Sequence, residues 1–516
     1  MLPSFVITTK RNEAIFDYCD FEKNQRSNFN VNNFIVSTET CTSFEDIFIS
    51  YENSYIGFFG KIFNKKRLQK IYEIITNKSL DDHSDLNIFL EIYKELGIES
   101  FKYIEGPFAA FVIGKNNFKV FSSVNPTYPL YYYNSDGVFW LANEVKVFRV
   151  NPRVDLSLKD FDTKNNDIEQ PANYTLFNKV QKVSASSFLE FQNNGNEITI
   201  NGKEYFKDIR AEENASKKEA INKLDHLFKQ SIEDYIFLNN GKNISVSLSG
   251  GIDSCLVAAY VKELDPQINI HTFTFGTSIA NEFNYAKLCA EYIGTSHHEI
   301  LFDEQLFFEG LSKVMFFNET FHPKFVEVHA TMFLVYQNAA QYSQVLLGGF
   351  NADSLFGGLL NPNIEPNLVN QTLAQRLNRS GWTGEYNPYL AKNYGLYEAS
   401  PYINNDFVRY ASKISSEFKV HNKELKYILK ILAQEKKLIP LDNIWRKKVR
   451  LEEGCASERM LGDFLGIKPG KYTRHEEYFI RGDFIYQVFK MIFEENISFN
   501  EIDFVAAKKK TSIRAH

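Results

Sequence analysis

Eight consecutive residues carry the densest chemistry in this chain: Ser247-Leu248-Ser249-Gly250-Gly251-Ile252-Asp253-Ser254. The apolar run Ile244–Gly250 reads as a strand and Ser254–Leu264 as a helix, so the segment is expected to form the turn between them. Two glycines let the backbone approach an anion closely and take positive φ. The new helix presents unpaired N–H groups and its positive dipole end. Ser249 and Ser254 add hydroxyl donors, and Asp253 is a carboxylate suited to holding Mg²⁺ against phosphates. The plainer alternative is a Ser-Gly turn with a capping aspartate.

The elements that must position this turn divide the chain in two. Up to about residue 209 the pattern is short β-branched or aromatic runs, Phe58–Phe63, Phe108–Gly114, Phe118–Val124 and Gly137–Asn143. Turns fall at Gly114–Asn117 and Asn134–Gly137, and Ser187–Gly202 reads as a hairpin. One helix, Ser84–Leu96, opens with a Ser-Asp cap. From residue 210 the pattern alternates. Ala215–Phe237 is a long amphipathic helix, Ile268–Gly276 a strand, Asn281–Gly294 a helix and Val345–Phe350 a third strand. That alternation implies βαβ crossovers and a parallel sheet. From about Gln371 the chain reads as mostly helical.

The Ser247–Ser254 segment resembles the pyrophosphate-binding loop of the ATP pyrophosphatases, which cleave ATP between the α and β phosphates and adenylate a carboxylate or similar oxygen. No Gly-Lys-Ser/Thr follows, so γ-phosphoryl transfer is not implied. The order of that loop, Phe275–Phe283, Gly348–Gly358, Trp445–Lys448 and Glu452–Gly454 resembles the asparagine synthetase superfamily. SDLNIFLEIYKELG, EGPFAAFVIG and PLYYY are similar to its amidotransferase-like domain. The resemblance implies an α/β and α+β chain: an N-terminal amidotransferase-like (Ntn-type) β-sandwich over 1–209 and an adenine nucleotide α-hydrolase-like parallel-sheet synthetase domain over 210–516. It implies ATP and Mg²⁺ as cofactors, with Ser247, Ser249, Gly250, Gly251, Asp253, Ser254, Gly276 and Gly349 at the nucleotide. Asp253 and Asp353 hold the metal in this reading, although Asp353 also suits a helix N-cap. Lys448 would neutralise charge in adenylation and amide closure, or be a solvated residue of a basic cluster. Glu327 aligns with a substrate-pocket glutamate, or is a surface carboxylate on a helix.

Residue 2 is Leu2 where those glutamine-dependent enzymes have a cysteine nucleophile, and Cys19 lacks the α-amine base such a thiolate needs. The first domain is therefore expected to be silent. That points toward relatives that use an amine already on the substrate. WTGEY (Trp382–Tyr386), Asn281–Phe283 with Gly294–Ile300, and WRKKVRLEEG resemble the β-lactam and carbapenam synthetases. There Glu385 would pair with a tyrosine to deprotonate the amine, but Phe350 stands at the tyrosine's place and can neither accept nor relay a proton. Glu385 then acts alone, through water, or with Tyr386, Tyr389 or Tyr394. Alternatively the nucleophile needs no strong base, or lactam formation is absent. Phe350 and Tyr386 are counted with Glu327 as substrate contacts.

The expected activity is an AMP-forming carbon–nitrogen ligase that closes a lactam on a small amino-acid-like substrate, in antibiotic or other secondary-metabolite biosynthesis. An intermolecular ligase, a lasso-peptide-type macrocyclase and a non-catalytic nucleotide-binding homologue remain open. With 58 basic and 64 acidic residues, a net charge of −6 and no basic run longer than Lys508–Lys510, nucleic acid is not an expected partner. Five scattered cysteines and no long apolar run point to a cytoplasmic, non-membrane protein. A homo-oligomer stays open. His297 and His298 read as structural rather than metal-binding.

Overall fold

The computed structural model describes residues 5–9, 27–38, 47–80, 84–124, 128–159, 173–194, 198–204, 212, 215–239, 243–383, 389–447, 451–468 and 470–511. The chain forms two compact units, one built on Met1–Lys207 with the short later segment Phe493–Asn496, the other on the bulk of the chain from Asp208.

In the first unit, β1 (Phe5–Thr9), β2 (Ser27–Val31), β3 (Phe34–Thr38), β8 (Tyr131–Ser135), β9 (Val138–Ala142) and β10 (Val180–Lys182) form one sheet in the order β10-β8-β9-β1-β3-β2. β4 (Phe48–Tyr51), β5 (Ser54–Gly60), β6 (Phe108–Ile113), β7 (Asn117–Ser122), β11 (Ser187–Asn193) and β12 (Ile198–Glu204) form the second, ordered β12-β11-β7-β6-β5-β4. Aromatic side chains bind the sheets face to face. Phe5 stacks on Phe59 at 4.4 Å, Phe34 meets Phe118 at 4.9 Å and Phe139 meets Phe191 at 5.0 Å. Such pairs add to their area burial. Helices α1 (Lys65–Thr76) and α2 (Asp85–Leu96) cover the other face of the second sheet, with Phe89 packed on Phe58. Ser84 caps α2 by accepting from Asn87 N–H, as its sequence predicts.

In the second unit, α3 (Lys217–Leu238) opens with a Ser216/Glu219 capping box. β13 (Asn243–Ser247), α4 (Ile252–Leu264), β14 (Asn269–Gly276), α5 (Phe283–Ile293), β15 (Ser296–Leu301), α6 (Glu304–Asn318), α7 (Pro323–His329), α8 (Met332–Ala339), β16 (Val345–Leu347), α9 (Ala352–Phe356) and β17 (Tyr397–Ala399) follow. The five strands are all parallel and ordered β15-β14-β13-β16-β17. After Val345 the strand is shorter than its sequence suggests: it ends at Leu347, and Gly348–Asn351 turns into α9. His297 and His298 lie within β15. Beyond Pro366 the chain is mostly helical, with a two-stranded β18–β19 ladder (Val420–His421 and Glu424–Leu425) before α14 (Tyr427–Glu435). Among the described residues no helix is long and apolar enough to cross a membrane.

Candidate active site

Order in the sheet puts three of the sequence motifs at one edge. The turns after β13, β14 and β16 all leave the carboxyl ends of neighbouring parallel strands, where open α/β sheets bind ligands. Leu248 N–H still pairs with Phe273 O at 2.8 Å, so the turn begins at Ser249. Gly250 has φ +71°, and a Cβ there would lie 2.5 Å from Tyr285 C; only glycine fits this approach. The hydroxyls fold the loop on itself. Ser249 N–H donates to Ser254 Oγ at 3.1 Å and Gly251 N–H to Ser249 Oγ at 3.3 Å. Gly251, not Asp253, is the N-cap of α4. Asp253 therefore sits in the first helical turn.

The turn after β16 docks on that first turn. A Cβ at Gly349 would stand 2.8 Å from both Asp253 Cβ and Ser254 N. Asn351 (φ +71°) caps α9, with its Nδ2 donating to Tyr402 O at 2.7 Å. Asp353 lies inside the first turn of α9, so the N-cap alternative for it fails. Ser400 Oγ donates to Phe350 O at 3.0 Å, and the Phe350 ring lies over Gly348. Tyr402 Oη donates to the carbonyl of Asp253 at 3.2 Å.

Sequence reasoning missed the residue that joins the two aspartates. Lys426 Nζ forms ion pairs with Asp253 and Asp353 together, and the lysine side chain is only 4% exposed. Gly358 makes room, since a Cβ there would be 2.1 Å from Lys426 Cε. A buried ammonium is tolerated only when paired. The donor set also suits a magnesium ion, which takes one or two carboxylates and keeps several waters. Ser247 is the last residue of β13, the strand that runs into the loop. Gly276 ends β14, and a Cβ on it would strike Asn281 Cβ at 2.4 Å, so it is a close-packing position of the adjacent turn.

Glu327 is not a surface carboxylate. It is 2% exposed on α7 and accepts from Arg481 Nε at 2.9 Å, while Arg481 Nη2 reaches Glu458 at 2.5 Å. These two carboxylates raise the arginine's pKa against the effect of its burial. Glu385, Tyr386 and Lys448 lie outside the described residues. Of the other tyrosines considered beside Glu385, Tyr389 is buried with the Lys392 ammonium 5.1 Å from its ring, and Tyr394 hydrogen-bonds Lys313. A Tyr–Glu contact does exist elsewhere: Tyr336 Oη donates to Glu398 at 3.0 Å, and burial raises Glu398 to about 7. His297 bonds Thr272 across β14 and β15, and burial lowers it to about 4. That is a structural role.

Residues 223–398 match the asparagine synthase family and residues 46–206 the glutamine amidotransferase domain family. The two matches, amidotransferase before synthase along the chain, support the asparagine synthetase superfamily. It is 25% identical over 443 residues to the glutamine-hydrolyzing asparagine synthetase of Rattus norvegicus, covering 80% of this chain and 75% of that one. The corresponding Homo sapiens protein is 24% identical over 436 residues, covering 79% and 73%. Among solved structures, NMN synthetase from Francisella tularensis matches with 12% identity and a TM-score of 0.28, over 56% of this chain and 98% of that one. An allosteric regulatory enzyme of purine biosynthesis matches at 11% and 0.27, over 58% and 74%. The asparagine synthase match and these asparagine synthetase relatives support an ATP-dependent carbon–nitrogen ligase.

Proposed function

We propose that this ligase adenylates a substrate carboxylate and then closes a lactam with an amine of the same molecule. A carboxylate oxygen attacks the α-phosphorus of ATP, the α–β phosphoanhydride bond breaks and pyrophosphate leaves. The amine nitrogen then attacks the acyl carbon, AMP departs and the amine proton passes to a base. The observation that carries the reading is the convergence of Asp253 and Asp353 on one buried cation at the N-terminus of α4. Magnesium, when bound there, would supply charge neutralisation for the phosphates.

The loop N–H groups, the Ser249 and Ser254 hydroxyls and the Lys426 ammonium stabilise negative charge growing on the departing pyrophosphate. Lys448 is assigned to charge on the acyl transfer, and Glu385 to the amine proton, alone or through water. Residues 1–209 are assigned to the amidotransferase-like domain and 210–516 to the synthetase domain. Similarity of WTGEY and WRKKVRLEEG to β-lactam and carbapenam synthetases supports ring closure and a secondary-metabolite product. Mass spectrometry after incubation with ATP, Mg²⁺ and β-amino or amino-diacid acids tests this. Loss of one water from a single molecule with one AMP formed is expected; a product joining two molecules overturns the lactam reading.

A further inference from the structure

Two side chains outside the Ser247–Ser254 loop hold its backbone from behind, and a third fixes one of them. α15 (Leu441–Trp445) carries Asn443, and Arg446 follows as its C-cap, three residues on and so on the same side of the turn. Asn443 is fully buried, and its Nδ2 donates at 2.9 Å to Gly250 O and at 2.9 Å to Tyr285 O. Both hydrogens of the amide are thus used, one on the loop and one on the first turn of α5. Arg446 Nη1 donates to Ser249 O at 3.3 Å. Its other terminal nitrogen is ion-paired with Glu282, and its guanidinium lies 4.0 Å from the Tyr285 ring centre. Glu282 also packs on Gly454, where a Cβ would stand 3.1 Å from the Glu282 carboxyl carbon.

A trans peptide unit points its carbonyl and the next N–H in opposite directions. Holding Ser249 O and Gly250 O on one side therefore turns Gly250 N–H and Gly251 N–H toward the other. Two successive N–H groups facing one way form an anion-binding concavity. We infer that Asn443 and Arg446 are positioning residues that aim the Gly250 N–H, and the Gly251 N–H as it exchanges its 3.3 Å bond to Ser249 Oγ for the anion, at the leaving pyrophosphate, with Glu282 fixing Arg446. This rests on the proposed use of the loop for pyrophosphate.

Calorimetric binding of magnesium pyrophosphate and of AMP to the full chain separates the possibilities. Asn443→Ala and Arg446→Lys are each expected to weaken magnesium pyrophosphate about tenfold, the scale of one lost hydrogen bond to a charged network, while AMP binding stays as in the wild type. Arg446→Lys keeps the charge beside Glu282 and so tests the point where Asn443→Ala fails to fold. The exchange Glu282→Arg with Arg446→Glu restores an ion pair but no donor to Ser249 O, and is expected to leave pyrophosphate binding weak. Wild-type pyrophosphate affinity in the single variants, equal loss of AMP and pyrophosphate, or recovery in the exchanged pair would overturn the inference. A wild-type chain that binds neither ATP nor magnesium pyrophosphate would sink the underlying functional reading instead.

Discussion

Lys426 presses its ammonium against the Asp353 carboxylate while holding Asp253 with the same three hydrogens. The pairing joins two elements that the chain separates widely: Lys426 lies 173 residues beyond Asp253. It gives the two carboxylates a shared counter-charge before any phosphate arrives.

Lys426→Met removes that counter-charge and leaves the buried Asp253 carboxylate facing the partly exposed Asp353 carboxylate. Breaking a buried ion pair typically costs about 3–5 kcal/mol. Scanning calorimetry is expected to show a lower melting temperature whose recovery by added magnesium exceeds that of the wild type. A variant that melts as the wild type does, or ignores magnesium, contradicts the shared site.

Asp253→Asn and Asp353→Asn keep the side-chain shape and remove the charge. Each is expected to lower kcat by roughly 10²–10³, the scale of losing one charge-stabilising group, with little change in KM for the carboxylic acid. Steady-state AMP release provides the measurement. An effect on KM alone would place these residues in substrate binding.

Glu398 supplies a pH signature away from the loop. Burial raises its carboxyl from 4.5 to about 7, opposed by the Tyr336 hydrogen bond. The folded chain holds a proton here that the unfolded chain has released, so stability falls as pH rises from about 4.5 to about 7, then levels. His297 and His329, both lowered to about 4 by burial, act in the opposite sense as pH falls below 6.5. Comparing Glu398→Gln with the wild type cancels the histidines. The variant's melting temperature is expected to lack the Glu398 part of the slope, and identical pH profiles would refute it.

Glu327→Ala is expected to destabilise the fold by about 3–5 kcal/mol, because Arg481 loses a buried partner. Glu327→Gln keeps an acceptor and should cost less. If Glu327 also lines the substrate site, the Gln variant raises KM for the acid with kcat nearly intact. Unchanged KM would leave it a purely structural anchor.

The loop was legible because its chemistry is local: Gly250 needs positive φ, and the strand and helix on either side announce themselves by periodicity. The parallel sheet followed from the alternation of Ile244–Gly250, Ile268–Gly276 and Val345–Phe350 with helices. What escaped notice depends on distant partners. Lys426 stands in a polar turn with no motif, and Arg481 meets Glu327 only through a helix 154 residues further on. β15 (SHHEIL) and β17 (YEA) were missed because they are polar or three residues long, as edge strands can be. Asp353 resembled an N-cap in NADSLF, yet Asn351 takes that place with its left-handed backbone. α1 escaped because only Leu68 and Tyr72 of its twelve residues are buried, too few to mark a face.

The bond that breaks in ATP decides the matter. With ATP labelled at the γ-phosphate and a panel of amino-acid-like carboxylic acids, turnover is expected to release the label as pyrophosphate with equimolar AMP, and Asp253→Asn should suppress both. Label recovered as orthophosphate beside ADP would contradict the account.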